Sequence, residues 1–293
     1  MYARVLLMAR VLIAGATGYL GGFLLAEAKE RGHEVRALTR SEHQLSGASA
    51  SIDEVFVGEV TKPATLVGIA KDVDVVISAI GITRQKDGLT YEDVDYQGNA
   101  NLLREAVKSG VRKFVYVSVL HPEKMASLKV VQAKERFVRE LQMSGIDHTV
   151  IRPNGYFSDM LAYLKMAKSG RAFVFGRGEF LINPISGRDV AAKCVDAIDL
   201  DDPEISFGGP ATITHREIAQ QAFDALGTKS KVTCIPVPFA KALLWLVRKL
   251  TPTTVYGPLE FSLTVITTDM VGPAYGKDSL GDFFHDEVAR KHI

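Results

Sequence analysis

The chain has 293 residues, of which 47% are apolar and 24% are charged, and its formal net charge is +1. This is the composition of a soluble protein, long enough for one α/β domain with a smaller appendage. A charge so near zero provides no basic surface for nucleic acid, which excludes that class of partner.

The first apolar run, residues 11–14, leads into a glycine-rich loop with the sequence GATGYLG over residues 15–21. Gly15 permits a tight turn off a strand, and Gly18 lets a pyrophosphate approach the backbone. Gly21 lets the following helix, predicted over residues 19–31, pack closely on the sheet. Because the free N–H groups at the start of that helix attract phosphate, the loop predicts a dinucleotide site.

The tip of the second strand indicates which dinucleotide is bound. A carboxylate there would favour NAD, but the predicted strand over residues 33–39 is followed by Arg40. A guanidinium suits the 2′-phosphate of NADP, so we expect NADP(H) rather than NAD(H). Arg36 is a second candidate, although strand alternation directs it to another face.

Alternating strand and helix patterns continue to residue 151 and predict a doubly wound, parallel Rossmann sheet of the α/β class. Predicted strands cover residues 54–57, 74–80, 113–119 and 148–151. Predicted helices cover residues 63–70, 92–109 and 128–143, and a polar loop covers residues 83–90.

After Pro153 the pattern becomes mixed. Predicted helices cover residues 156–168, 187–198, 215–226 and 239–250, and short strands cover residues 173–175, 180–182 and 232–237. We therefore expect a dinucleotide-binding domain over residues 8–155, its sheet completed by parts of 179–210. Residues 156–178 and 211–293 would form a smaller substrate-binding region, with residues 1–7 as an upstream extension.

Several segments together resemble the atypical short-chain dehydrogenase/reductase superfamily, in its NmrA-like and isoflavone-reductase-like branches. They are residues 15–21 (GATGYLG), 74–79 (DVVISA), 98–103 (GNANLL), 111–118 (VRKFVYVS) and 151–157 (IRPNGYF). The resemblance is strong over residues 10–200 and weaker over 201–293. Residues 173–176, 183–186 and 189–191 are also similar to divinyl chlorophyllide reductases and complex I accessory relatives.

The resemblance implies a catalytic site, but one in which the family's usual proton relay is broken. Lys134 matches the family's helix lysine, whereas Val130 occupies the tyrosine position and Asp95 that of an asparagine. Lys134 is either a catalytic residue with a pKa lowered beside the oxidised nicotinamide or a ligand of the ribose hydroxyls. Ser118 matches the family's active-site serine, with a strand-end hydrogen bond as its alternative. Tyr156 either supplies a hydroxyl near the nicotinamide or serves only as an aromatic wall of the site.

The predicted cofactor-binding residues follow the ends of the strands and the start of the first helix. They are Gly15, Thr17, Gly18, Tyr19, Leu20, Gly21, Arg40, Glu59, Ala79, Ile80, Gly81, Ser118, Lys134, Pro153, Asn154 and Gly155.

Other features point away from metals and disulfides. Cys194 and Cys234 have apolar neighbours and no metal-like spacing, so we expect core thiols. His121 is expected in a solvent loop, and His285 and His292 on a polar terminal helix without matching ligands, so no metal site is predicted.

The chain also lacks a membrane-spanning pattern. No run of about eighteen apolar residues and no signal-peptide pattern occurs, so we expect a cytoplasmic protein. The apolar segment 239–250 is short and is expected to be a core or lid helix. Its basic residues Lys241, Arg248 and Lys249 leave weak binding to a membrane surface open.

Two functions of different classes fit these observations. The first is a reductase that transfers hydride from NADPH to an apolar conjugated or carbonyl small molecule. The second is an NADP(H)-binding redox sensor or assembly factor without turnover. Loss of the family tyrosine favours the sensor, while Lys134 and an apolar C-terminal region favour the enzyme. We expect a monomer or a homodimer.

Overall fold

A computed structural model describes residues 8–82 and 88–291. The strands are β1 (Arg10–Ala14), β2 (Glu34–Thr39), β3 (Glu54–Val57), β4 (Val75–Ser78), β5 (Lys113–Val117), β6 (Asp147–Pro153), β7 (Ala172–Phe175), β8 (Leu181–Ile182), β9 (Glu204–Phe207), β10 (Ile213–Thr214) and β11 (Val232–Ile235). The α-helices are α1 (Tyr19–Glu30), α2 (Asn99–Lys108), α3 (Lys129–Met143), α4 (Phe157–Lys168), α5 (Gly187–Asp196), α6 (His215–Ala225), α7 (Val237–Leu250), α8 (Thr253–Ile266) and α9 (Leu280–Lys291).

The central sheet has seven strands in the order β3-β2-β1-β4-β5-β6-β9, and every pair in it is parallel. This confirms the predicted doubly wound α/β fold. The middle strands are apolar along their whole length because helices cover both faces of the sheet. The seventh strand of the sheet, β9, lies later in the chain than β7 and β8, which belong to other sheets. It completes the central sheet by pairing with β6.

Alternation along β1 divides the core into two layers. Val11 and Ile13 pack on one face with residues of α1 and α5, two helices that also contact each other. Leu12 and Ala14 pack on the opposite face with residues of α2 and α3. This two-sided burial fixes β1 at the centre of the sheet, with its carboxyl end leading into the glycine-rich loop.

The remaining chain forms a third apolar cluster at the carboxyl edge of the sheet. Helices α4, α6 and α9 pack together there, with Phe157, Phe223 and Phe284 among their buried side chains. Two small sheets join this region, an antiparallel β8–β10 pair and a parallel β7–β11 pair. Helices α7 and α8 contact each other as a hairpin, and α8 is an element that the sequence pattern did not predict.

Two predicted helices differ from those observed. The helix expected over 63–70 is a single 3₁₀ turn, Pro63–Leu66, because Val67 leaves helical geometry and Gly68 has φ of +82°. The helix expected over 92–109 begins as a π-helix, Glu92–Gly98, before α2 continues it. An unpredicted 3₁₀ segment, Glu42–Ser51, follows β2.

Several predictions about single residues are wrong. Cys194 is buried as expected, but Cys234 is exposed on β11, where Arg216 Nη2 lies 3.0 Å from its Sγ. His121 is more than a solvent-loop residue, since its Nε2 lies 2.8 Å from the Val271 carbonyl oxygen. Of the two roles expected for α7, the core role is wrong, since Ala240 is its one buried residue among those described, and the lid role stays a prediction.

Some expectations fall outside the described residues. They concern residues 1–7, most of the polar loop expected over 83–90, and His292.

Candidate functional site

The glycine-rich loop joins β1 to α1 with backbone contacts that leave no room for side chains. Gly15 has φ of +89°, and a Cβ there would lie 3.0 Å from the Ala79 carbonyl carbon after β4. A Cβ at Gly21 would lie 2.6 Å from the Ala16 carbonyl carbon, so the helix packs directly on the loop. Both glycines are therefore required by close backbone approach.

The start of α1 presents backbone donors toward the loop. Gly18 is the N-cap residue, and no side chain caps the N–H groups that follow it at Tyr19, Leu20 and Gly21. Uncapped N–H groups at a helix N-terminus are suited to a pyrophosphate. Thr17 is exposed beside them. The predicted phosphate-binding residues therefore lie together in an arrangement that fits a dinucleotide.

The two arginines of the second strand have different environments. Arg36 is buried, ion-paired with Glu54 at 2.8 Å, and donates to the Ile69 and Lys71 carbonyl oxygens. Arg40, at the tip of β2, is exposed. Arg36 is thus occupied within the fold, and of these two arginines Arg40 is the one whose side chain is accessible.

Glu59 follows β3 at the same carboxyl edge. Its carboxylate accepts a hydrogen bond from the Thr61 hydroxyl and lies 2.7 Å from the Lys62 ammonium. The hydrogen bond from Lys62, followed by the one from Thr61, holds the pKa of Glu59 below its usual range.

A buried ion pair lies beside the loop that follows β4. Lys134 Nζ on α3 is 3.0 Å from Asp95 Oδ1 in the π-helix, and Asp95 is fully buried. Gly81 lies against both groups, because a Cβ there would be 2.7 Å from Lys134 Nζ and from Asp95 Oδ1. Of the predicted residues that follow β4, Gly81 therefore borders the pair, whereas Ala79 and Ile80 lie against Gly15.

The neighbours of Lys134 favour its charged form. Burial disfavours the ammonium, but Tyr116 and Asp95 together outweigh this effect and raise the pKa of Lys134. The sequence analysis predicted a lowered pKa for Lys134 beside the oxidised nicotinamide, whereas the protein's own groups raise that pKa. Tyr116 is fully buried on β5, with the Lys134 Nζ 5.7 Å from its ring centroid. Burial raises the pKa of Tyr116 to about 12.

A chain of hydrogen bonds fixes Asp95 to the end of β4. The Ile82 N–H donates to Asp95 Oδ2 at 3.2 Å. Asn99 Nδ2 donates to the Asp95 carbonyl oxygen at 2.9 Å, and Ser78 Oγ donates to Asn99 Oδ1 at 2.6 Å. π-Helical segments often occur at functional sites, and here the wider turn carries the carboxylate that meets Lys134.

Ser118, at the end of β5, belongs to a separate polar cluster. Its hydroxyl donates to Glu135 Oε1 at 3.1 Å. The Glu135 carboxylate also accepts two hydrogen bonds from the buried Arg152, at 2.6 and 2.9 Å. Burial opposes the Arg152 charge, but its hydrogen bonds to Glu135 and Glu204 raise its pKa. The observed contacts of Ser118 match the strand-end hydrogen-bonding role more closely than a proton-donating role.

Tyr156 lies on the α1 side of the sheet. Its ring centroid is 5.5 Å from that of Tyr19, and it packs with the core layer that contains α1 and α5. Burial raises the pKa of its phenol. The described contacts do not join Tyr156 to Lys134, and the packing corresponds to an aromatic wall.

The residues that end β6 are held by the C-terminal region. Asn154 Nδ2 donates to Asn183 Oδ1 and to the Met270 carbonyl oxygen, both at 2.7 Å. Its own Oδ1 accepts from the Gly155 N–H at 2.8 Å. The Pro153 carbonyl oxygen accepts from the Leu120 N–H. The Asn154 side chain is therefore engaged in joining the two regions of the fold.

Metal-site clusters and membrane-spanning helices are both absent from the described part of the chain, residues 8–82 and 88–291. No three His, Cys, Asp or Glu side chains come together there as a possible metal site. No helix there has both the length and the apolar character needed to cross a bilayer.

The sequence indicated Asp95 only as the residue that replaces the family's asparagine. It gave no prediction for Tyr116, Glu135 or Arg152. A signal was available for Arg152, since an arginine inside a buried strand requires a carboxylate partner.

Comparison with known proteins supports the cofactor assignment. Residues 15–201 match a family described as NAD(P)H-binding. A divinyl chlorophyllide a 8-vinyl-reductase of Zea mays is 28% identical, over 94% of this chain and 78% of its own length. A photosystem II assembly factor of Synechocystis is 30% identical, over 66% of this chain and 59% of its own length.

An NADPH-dependent quinone oxidoreductase of Escherichia coli, solved with NADPH, has the same fold. Its TM-score is 0.73 at 18% identity, covering 97% of this chain and 100% of that one. The fold, the glycine-rich loop and the family match agree. The chain belongs to the NAD(P)H-binding family.

Proposed function

We propose that this protein is an NADPH-dependent reductase of apolar conjugated or carbonyl small molecules, in which Lys134 donates the proton. The observation that carries the proposal is the buried Lys134–Asp95 pair against Gly81, at the carboxyl edge of the parallel sheet. Ligands of open α/β sheets bind at this edge. A buried ion pair with one member on the edge of the site is also a common arrangement of proton-transfer groups.

The cofactor would be held chiefly by backbone groups and by one arginine. The start of α1 would bind the pyrophosphate, and the exposed Arg40 would meet the 2′-phosphate, which favours NADP(H) over NAD(H). When bound, NADPH supplies a hydride. The protein then has to orient the substrate, exclude water and provide one proton.

Lys134 is the side chain best suited to provide that proton. Asp95 keeps its amine protonated through the neutral range, and 12% of the side chain is exposed. The substrate atom that does not receive hydride gains the Nζ proton, and the neutral amine is reprotonated from solvent. Ser118 and Tyr156 are less suited, because one is bonded to Glu135 and the other packs against Tyr19.

We assign the cofactor to residues 8–155 with parts of 179–210, and the substrate to residues 156–178 and 211–293. Apolar side chains of the second region, Phe157 and Phe223 among them, contribute to the third apolar cluster and suit a mostly apolar substrate. The reductase from Zea mays supports the same class of reaction.

The second candidate is an NADP(H)-binding sensor or assembly factor without turnover. Two observations favour it. Val130, at the position of the family's tyrosine, is a buried side chain that cannot transfer a proton. The Synechocystis relative is described as an assembly factor.

A substrate screen distinguishes the two functions. Stopped-flow absorbance would follow NADPH oxidation with quinones, enones and carbonyl compounds, with Gly18→Val as a control impaired in cofactor binding. We expect at least one class to oxidise NADPH with the wild type and much less with the control at the same NADPH concentration. Saturable NADPH binding without oxidation by any compound would contradict the reductase and support the sensor.

A further inference from the structure

The outer face of the α7–α8 hairpin carries an uncovered apolar stripe. On α7 its members are spaced four, three and four residues apart, which places them on one side of the helix. Their exposed fractions are 65% for Phe239, 53% for Leu243, 46% for Leu246 and 74% for Leu250. Single exposed apolar residues are common, but a contiguous row of large ones indicates an interaction site.

The hairpin is seated on the fold by its other faces. A Cβ at Gly257 of α8 would lie 3.1 Å from the Tyr91 hydroxyl, and Phe261 and Val265 pack against the third apolar cluster. On the outer side of α8, Val255 and Leu259 are about half exposed and extend the apolar surface. The uncovered stripe is not the face by which α7 packs on the fold, because that face carries the buried Ala240 and the half-buried Leu244 and Val247.

Charges on α7 are all of one sign. The helix contains Lys241, Arg248 and Lys249 and no acidic residue. Arg248 is neutralised by Glu260 of α8 at 3.0 Å, whereas neither lysine takes part in a salt bridge between described residues. Trp245 is 62% exposed, with Lys249 Nζ 6.0 Å from its ring centroid.

This combination fits a lipid surface better than a protein. Helices that lie in the bilayer interface carry large apolar side chains on one face and Lys or Arg beside that face, with aromatic rings at the level of the headgroups. Trp245 and Lys249 lie on the flank of the stripe rather than in it, because each precedes a stripe residue by one position, about 100° around the helix. Lysine is depleted where proteins contact each other. At 14 residues, α7 is about 21 Å long, too short for the roughly 30 Å hydrocarbon core.

We propose that the α7–α8 hairpin docks on the surface of a bilayer that contains anionic lipid. The apolar stripe enters the boundary between headgroups and acyl chains, while Lys241 and Lys249 meet lipid phosphates. This proposal does not depend on the reductase activity, because it involves none of the groups assigned to the cofactor or to proton transfer.

Trp245 makes the proposal directly testable, because it is the only tryptophan in the chain. Vesicles of phosphatidylcholine, alone or mixed with phosphatidylglycerol, would be added to the full-length protein. We expect a blue shift of Trp245 emission and co-sedimentation with the mixed vesicles, both weakening as salt is raised.

Two double variants separate the contributions of charge and apolar contact. Lys241→Glu with Lys249→Glu should reduce vesicle partition at least tenfold. Leu243→Ser with Leu246→Ser should abolish the blue shift while circular dichroism stays unchanged, because both side chains are exposed. Met143→Ser with Lys71→Glu, at exposed positions in the other half of the fold, is the matched control and should partition like the wild type.

Three outcomes would overturn the proposal. They are an absence of partition into mixed vesicles, equal partition into neutral and mixed vesicles, and a control variant as impaired as the hairpin variants. A concentration-dependent blue shift without vesicles, accompanied by a dimer in sedimentation velocity, would instead show that a second copy of the chain covers the stripe.

Discussion

The phosphate-loop end and the Lys134 end of the candidate site offer different atoms to a ligand. At the loop, the surface consists of backbone N–H groups, which stay accessible because three glycines there have no side chains. At the other end, ionised side chains from two helical segments meet in a buried pair. A backbone N–H is too weak an acid to give its proton to a substrate at neutral pH, whereas an ammonium can donate one. The first end therefore suits binding and the second suits chemistry.

This difference makes the two ends experimentally separable. Substitutions in the loop should change cofactor affinity and leave the rate at saturation unchanged. Substitutions around Lys134 should change stability, rate and pH dependence more than affinity.

The largest effect is expected from Asp95→Asn. Removing one partner of a buried ion pair should lower the free energy of unfolding by about 3–5 kcal/mol, measured by urea denaturation. In the wild type, the raised pKa of Lys134 means that this stability is present below the ordinary lysine pKa. It is lost as pH rises through the higher folded value. Without Asp95, burial lowers the pKa of Lys134, so the alkaline limb of the pH–rate profile should move to lower pH.

Glu92→Gln is the matched control for that variant. Glu92 and Arg136 form an ion pair between the same two helical segments, but both side chains are about half exposed. Exposed pairs contribute at most about 1 kcal/mol, so this substitution should have little effect on stability and none on the pH profile. Equal losses in the two variants would contradict the special role of the buried pair.

Gly18→Val should weaken NADPH binding at least tenfold, equivalent to about 1.4 kcal/mol, because a branched side chain occupies the place of the pyrophosphate. Gly22→Val, on the same helix but facing open space, should bind normally. Titration calorimetry measures both affinities. Normal binding by a folded Gly18→Val variant would show that the loop does not hold the cofactor.

Arg40→Ala should have the most selective effect. Loss of a charge-assisted phosphate contact at an exposed site should weaken NADPH binding by about 1.5 kcal/mol. NADH, which lacks the 2′-phosphate, should bind both proteins alike. A wild type that prefers NADH in calorimetry would rule out this role for Arg40.

The phosphate-loop end could be predicted from sequence because its determinants are local. Gly15, Gly18 and Gly21 act through the backbone of one turn, and their spacing fixes the turn. The strands were also identifiable, since double-sided burial requires continuous apolar runs such as β4. Their order in the sheet then brings Arg40, Glu59 and Gly81 to one edge.

The Lys134 end could not be predicted in the same way. Lys134 was identified through a family resemblance, but its contact with Asp95 depends on the packing of two distant segments and on a π-helical turn. The engagement of Ser118 by Glu135 and of Asn154 by Asn183 likewise depends on tertiary neighbours. Helix α8 was missed because Pro258 inside it and the preceding Thr-Pro sequence are typical of loops.

The central claim, that Lys134 serves chemistry rather than binding, is tested by single-turnover kinetics. Wild type and Lys134→Met would be compared at saturating NADPH with a substrate from the screen, with Arg136→Met as an exposed control on the same helix. We expect the Lys134→Met rate to fall at least about 100-fold, while the NADPH dissociation constant changes less than about tenfold. A variant that loses affinity but keeps its single-turnover rate would contradict the claim and make Lys134 a ribose ligand.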